Sequence, residues 1–528
     1  MPLPGLLLLA ALLFPILPAR AADGDVDPSF SAGTTGYVHS VAVQTDGKIL
    51  LGGPFTAVSG SVRNYVARLN ADGTLDASFD PDANSPIRNL AVQPDGKVLL
   101  GGDFTMLAGT ERDCLARLQA DGSLELGFSA SSGRPASIAV QADGKILLGG
   151  WFTNVNSIDR SHIARLNTGG SLDTTFDPSA NDVVYSVALQ ADGKILLGGA
   201  FTNVCGMARN RLARLNADGS LDSGFNPDVN AMVNCVAVQA DGRVLLGGAF
   251  TSVSGTTHLR VARLNADGSL DASFNPQANN LLLSLAVQAD GKILAAGGFT
   301  NVCGAARGRI ARLNADGTLD PDFRSDLDGF GYSVSLQADG KILVGGDFAY
   351  VGGTARSNIV RLLNGPAAQA LTIPNDLTQV QWSRGGTAPE VEQVTFDLST
   401  DGGATWASLG SGARISGGWV KTGLSLPPHG LIRAQGRATA GNYNGSSSLI
   451  EQIAPYATLP LLVSPICGSD QCFRCTLTGP TGSVYAIEAA TSLVNSAWLR
   501  LCTNPVPFEF VDPDATNYPH RFYRAVTP

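Results

Sequence analysis

The chain has 528 residues, more than one hydrophobic core can serve, so at least two folding units are expected. Its 62 Gly and 28 Pro stand against a charged fraction of 15%, which suits short strands joined by tight turns and disfavours long surface helices. With 44% apolar residues and a net charge of only −9, the composition excludes a disordered chain, and the acidic balance excludes a nucleic-acid partner.

In chain order, an apolar run from Leu6 to Leu17 is followed by small residues at Ala19 and Ala21, the pattern of a signal peptide over residues 1–21 with cleavage before Ala22. No Lys or Arg precedes that run. The run is too short to span a bilayer, no later stretch is long enough, and the expectation is a secreted, extracellular or cell-surface protein without a membrane span.

Seven repeats follow. An Asp-Gly-Lys/Arg turn begins at Asp46, Asp95, Asp143, Asp192, Asp241, Asp290 and Asp339, at intervals of 48 or 49 residues. Each unit holds an alternating run such as Ser186–Gln190, the turn, a run such as Lys194–Phe201, a Gly-containing loop, a run such as Arg211–Leu215, a second Asp-Gly turn and a last run such as Ser220–Phe225. That spacing predicts four strands per unit, with type I′ turns at Asp-Gly. Four-stranded units of this length are those of a β-propeller. The seventh unit stops at Asn364 without its second turn and fourth strand, while Ala22–Phe30 matches Ala71–Phe79. The N-terminal strand is therefore expected to pair with Ile359–Leu363 and close a seven-bladed propeller over residues 22–364.

Segments such as Ala191–Asn203 and Ile310–Asp320 resemble the delta-60 repeat of exported bacterial proteins, and the layout is similar to NHL and kelch propellers. The resemblance implies a β-propeller and no particular activity.

From Gly365 the repeat ends. Trp382, Trp406 and Trp419 mark a second core, and residues 365–456 read as a fibronectin- or immunoglobulin-like β-sandwich. Within it Ser399–Trp406 matches the Asp box that resembles sialidase hairpins, read here as a turn. Residues 457–528 read as a small β module. The fold class is thus all-β, a closed propeller followed by sandwich-type modules. Cys467, Cys472, Cys475 and Cys502 are the candidates for disulfides, while Cys205 and Cys303 share a repeat position with Ser59, Ala108, Asn156, Ser254 and Gly352 and read as small turn residues.

Residues copied seven times read as structural. Such are Arg68, Arg117, Arg165, Arg214, Arg263, Arg312 and Arg361, with carboxylates from Asp27 to Asp320 in the same register. Half of a calcium loop in Asn216-x-Asp218-Gly219-x-x-Asp222 lacks its closing ligand, so it reads as a turn, and no metal or cofactor is expected. A second cationic position, Arg63, Arg112, Arg160, Arg209, His258, Arg307 and Arg356, reads as loop caps before an anion-binding face. Individuality appears just before each innermost strand, where a mouth holding Tyr37, His39, Arg88, Arg134, Tyr185, Asn234 and Tyr332 is the candidate ligand site.

The function expected is a non-enzymatic binding or scaffold propeller, a monomer recognising glycans or surface proteins. The alternative is a lyase or glycoside-acting enzyme using His39 at the channel mouth.

Overall fold

The computed structural model describes residues 22–457, 461–467, 472–478, 484–492, 497–518 and 520–526, so the leader expected over residues 1–21 lies outside the described residues. The described chain is strand and turn throughout, with helical turns only at Asn442–Asn444 and Ala515–Asn517.

In the fourth unit Val184–Leu189 pairs antiparallel with Ile195–Gly199, which pairs in turn with Leu212–Leu215. The same order recurs in all seven units, from Ser40–Val43, Ile49–Gly52 and Val66–Leu69 to Phe330–Leu336, Ile342–Asp347 and Ile359–Leu362. Ile195–Gly199 and Leu212–Leu215 are buried at every position, because neighbouring units cover both faces of each sheet. Phe225 packs with Leu196 and Leu212 of the fourth unit and Val236 and Leu246 of the fifth, so the core lies between units. Burying each such aromatic contributes roughly 2–3 kcal/mol. Close approach needs Gly198, where a Cβ would stand 2.8 Å from side-chain atoms of both Val233 and Val236. Units seven and one share the same kind of layer, with Leu343 and Ile359 packed among Val41, Val43 and Leu51.

The turns differ from the sequence expectation. At Gln190–Lys194 the Gly193 amide donates to Gln190 O at 3.0 Å and the Gln190 amide to Lys194 O at 2.9 Å, with positive φ at Gly193 (+85°) but not at Asp192. This is a three-residue loop, a type I turn closed by a left-handed glycine, in place of the type I′ turn. Two adjacent left-handed residues occur instead in the small outer hairpin, at Cys205 (φ +54°) and Gly206 (φ +75°). The seven residues of the Cys205 position all have φ between +47° and +54°, which makes Cys205 and Cys303 turn residues. The fourth strand contracts to one bridge, Leu215↔Leu221, because the chain turns at once, the Phe225 amide bonding back to Asp222 O.

Residues 24–27 lie along Ile359–Leu362: Val26 bridges Leu362, and the Gly24, Asp27 and Leu363 amides donate to Leu363, Arg361 and Asp25 carbonyls, each at 2.8 Å. Asp27 takes the Arg361 guanidinium at 2.8 Å, as Asp222 takes Arg214 at 2.9 Å.

Beyond the repeats, Ala367–Thr372, Val380–Gly386, Gly418–Lys421 and Ala413–Ile415 form one sheet, and Ala407–Ser411, Val394–Ser399, His429–Ala440 and Ser446–Ala457 pair in that order in another. Both supply the core of Trp382, Trp419, Phe396, Ile432 and Ile450. Ser399–Trp406 is the turn between two of these strands: the Asp401 carboxylate accepts the Thr405 amide at 2.9 Å, and Arg433 stacks on Trp406 at 4.5 Å. In the last segment Cys475 and Cys502 are thiols packed with Leu477, Ile487 and Phe510, while the side chain of Cys467 lies outside the described residues.

The long hairpin of His429–Ala440 and Ser446–Ala457 leaves its own sheet and runs among the innermost strands of the repeats. Ser448 Oγ accepts the Val43 amide at 2.9 Å and lies 3.2 Å from Ser335 Oγ, and Ser447 pairs with Ala91. The repeats explain the fit. Val41, Val187, Val236 and Val334 each donate their amide to a serine of the adjacent unit (Ser333, Ser137, Ser186 and Ser284) at 3.1–3.3 Å. At the other three positions the neighbouring unit offers Asn89 or Cys235, or turns its Ser40 hydroxyl to Ser446 at 2.6 Å. There the hairpin supplies the acceptor: Ser446 Oγ for Leu90, Gly445 O for Ile138 and Asn444 Oδ1 for Leu285, each at 2.9 Å. Left empty, each buried amide would cost about 1–3 kcal/mol.

Candidate functional site

Six of the innermost strands carry a register shift against their partner strand at the residue where the sequence varies most. Arg88, Tyr185, Asn234 and Tyr332 are such bulged residues, one residue standing outside the paired register of Ile87/Asn89, Val184/Ser186, Val233/Cys235 and Gly331/Ser333. Simple two-residue alternation therefore does not hold here, because a bulge re-aims its side chain.

The outcome is a continuous arc of side chains. Phe330 stacks on Tyr332 with centroids 6.0 Å apart, Tyr332 meets Tyr37 at 5.6 Å and His39 at 5.5 Å, and Tyr37 meets His39 edge-on at 5.0 Å. Arg88 Nη1 lies 3.4 Å from His39 Nε2, and Asp103 then holds both Arg88 and Arg134 at 2.7 Å. Arg134 lies over Trp151 at 4.7 Å, Trp151 meets Tyr185 at 5.3 Å, and Tyr185 meets Tyr443 of the hairpin tip at 5.1 Å.

Six of the seven expected residues, Tyr37, His39, Arg88, Arg134, Tyr185 and Tyr332, thus belong to one surface. Asn234 does not: it is buried, and its Nδ2 donates to Leu282 O of the next unit at 2.9 Å, as Asn89 braces Pro135 O. Four members were missed, the first being Phe330, two residues before Tyr332. Asp103 and Trp151 occupy the position after the second glycine of the second strand, where the units read Pro54, Asp103, Trp151, Ala200, Ala249, Gly298 and Asp347, and that variation was a usable signal. Tyr443 lies outside the repeats, so no repeat comparison could find it.

Burial first, then the Arg88 charge, lowers His39 to about 4 against the opposing pull of Asp103, so its imidazole is neutral at neutral pH. Since Arg88 can only donate, Nε2 accepts and the ring proton sits on Nδ1, which has no partner among the described residues. The ring has no spare lone pair. Burial raises the hydroxyls of Tyr185, Tyr332 and Tyr443 above their ordinary range. The arc offers aromatic faces, hydroxyl donors and, at Arg88 and Arg134, two guanidinium groups sharing the Asp103 carboxylate, while Asp347 stands opposite Phe330 at the other end.

The other recurrent residues are spent on structure. Arg165 pairs with Asp173 at 2.9 Å, donates to Ala217 O of the next unit at 2.6 Å and lies over Phe176 at 4.3 Å. Of the second cation set, Arg63, Arg160, Arg209 and His258 are buried, Arg63 with its guanidinium on the carbonyls of Val62, Ala77 and Phe79, while the half-buried Arg112, Arg307 and Arg356 each donate to the carbonyl of the preceding residue. Asp218 accepts the amide and hydroxyl of Ser220 within its own turn, while Asp222 faces Arg214 and Lys194. Among the described residues no group of three metal-ligating side chains is found, and no helix is long and apolar enough to cross a membrane.

Seven segments, residues 44–79, 93–128, 141–176, 190–225, 239–274, 288–323 and 337–365, match the family described as "Domain of unknown function (DUF5122) beta-propeller". No curated protein matches the chain. Among solved structures, the chain is similar at 14% identity to one titled "Crystal structure of tetra-tandem repeat in extending region of large adhesion protein", over 62% of this chain and 89% of that one, with a TM-score of 0.13. Residues 44–365 accordingly hold seven segments that match that β-propeller family.

Proposed function

We propose that the seven repeats close into a seven-bladed ring and that the protein is an exported binding propeller, recognising glycans at the mouth formed by Tyr37, His39, Arg88, Arg134, Tyr185 and Tyr332. Pairing of residues 24–27 with Ile359–Leu362 and the Val41–Ser333 bond between units one and seven support closure. The leader supports export, and the two sheets around Trp382 and Trp419 support a sandwich module.

The observation that carries the binding reading is the unbroken arc from Phe330 to Tyr443, since aromatic faces beside guanidinium donors suit the apolar face and hydroxyl edge of a sugar ring. The enzymatic alternative would use His39 as a base, and its lone pair is taken up by Arg88. A glycan array probed with the purified chain tests the proposal. Binding that falls at least ~10-fold in Arg88→Ala and Tyr185→Ala supports it, a loss of about 1.4 kcal/mol or more. Undiminished binding in both variants removes the mouth from consideration.

A further inference from the structure

Tyr443 reaches the mouth from the opposite side of the repeats. Along the hairpin, Glu451 lies at the turn end beside Gln44 and Lys341, Ser448 beside Val43, and Ser446 beside Ser40 and Leu90. Tyr443 comes last, beside Tyr185 at the beginning of an innermost strand. The tip is anchored by Asn444, which bonds the Leu285 amide, the Leu285 and Val236 carbonyls and the Ser284 hydroxyl.

The tip is also strained. Tyr443 has φ +60° and Asn444 has φ +50°. Asparagine tolerates the left-handed region, and glycine occupies it freely, whereas an aromatic residue there is costly and clusters at functional sites. Left-handed residues within the repeats, such as Tyr65 (φ +67°) and His162 (φ +66°), recur at one turn position, whereas Tyr443 stands outside the repeats. The Tyr443 ring lies against Tyr185, within electrostatic range of Arg88 and Arg134, and its hydroxyl has no hydrogen-bond partner among the described residues.

Resting on the mouth as a recognition site, we propose that Tyr443 is a ligand-contacting residue delivered through the ring by the second module, and that the mouth takes an acidic saccharide, its ring against Tyr443 and Tyr185 and its anionic group on Arg88 and Arg134. The acid preference belongs to the end of the mouth beside Tyr443, where two guanidinium groups share the Asp103 carboxylate, and not to the Phe330 end, where Asp347 stands. Recognition would then require both modules in one chain, which explains why the hairpin is pinned to the repeats so thoroughly.

The test compares uronate-containing oligosaccharides with neutral ones of equal length, using the full chain and its Tyr443→Gly, Tyr443→Phe and Tyr350→Ala variants. Tyr443→Gly relieves the backbone strain, so the account expects an unchanged or raised melting temperature together with at least ~10-fold weaker uronate binding. Tyr443→Phe keeps the ring and is expected to lose about 3-fold, while Tyr350→Ala, on an exposed outer hairpin, is expected to bind as wild type. Wild-type affinity in Tyr443→Gly, with binding lost in Arg88→Ala, overturns this inference and leaves the mouth standing. A sharp fall in melting temperature on Tyr443→Gly marks a structural role and overturns it too. Preference for the neutral saccharides overturns the acidic class, and no saccharide binding by the wild-type chain overturns the recognition site along with it.

Discussion

At the scale of single residues, seven copies of one ion pair set most of the electrostatics. Arg165 and Asp173 are both buried, and the carboxylate also takes Lys145 at 2.9 Å. Breaking such a pair from one side strands a buried charge, so Asp173→Ala is expected to cost roughly 3–5 kcal/mol in urea denaturation, far more than an exposed pair would. Burial raises Asp27, but hydrogen bonds from Ser29 and the Arg361 charge outweigh it and hold the carboxyl at about 2. A depressed carboxylate adds stability above its unfolded pKa near ~4 and loses it as pH falls through the folded value. His39 acts over a higher window. Its folded pKa, about 4, lies below the unfolded ~6.5, so the unfolded chain takes the proton first and stability declines between about pH 6.5 and 4, by up to roughly 3 kcal/mol. Melting temperatures of His39→Gln against wild type across that window should show a flatter profile in the variant.

Among elements, the hairpin tip is the informative piece. Asn444→Ala leaves the Leu285 amide and two carbonyls without partners, and a loss of about 2–4 kcal/mol is expected. Unit five alone has cysteine where units four and six have Ser186 and Ser284. Cys235→Ser should restore a hydroxyl acceptor for Leu285 and recover roughly 1 kcal/mol in the Asn444→Ala background, while doing little in the wild type. A double-mutant cycle showing simple additivity would contradict this. Much of the element level was legible beforehand. Period-2 runs and the Asp-Gly spacing located the strands, and the match of Ala22–Phe30 to Ala71–Phe79 located the pairing of residues 24–27 with Ile359–Leu362. The bulges were not legible, since a one-residue register shift leaves no mark on hydrophobic period. Asn234 was misassigned for a related reason: a variable position next to a bulge can serve the neighbouring backbone as readily as a ligand.

For the whole molecule, repeats and second module share buried polar contacts. Arg437 donates to Val92 O at 2.8 Å, Glu390 donates its amide to Val287 O at 2.8 Å, and Leu449 packs in the core of unit two. Sequence separation hid this, because nothing in Gly441–Ser448 marks it as the partner of amides more than a hundred residues away. A chain ended at Asn364 would lose three amide acceptors and that packing, and we expect its melting temperature to fall by well over 10 °C relative to residues 22–528. The placement of the hairpin among the repeats is tested most directly by a Ser40→Cys/Ser446→Cys variant, whose parent hydroxyls are 2.6 Å apart across 406 residues of chain. On oxidation a disulfide between these two positions is expected, found by mass spectrometry of the digested protein, together with a raised melting temperature. Two cysteines that stay reduced in the folded protein would contradict that placement.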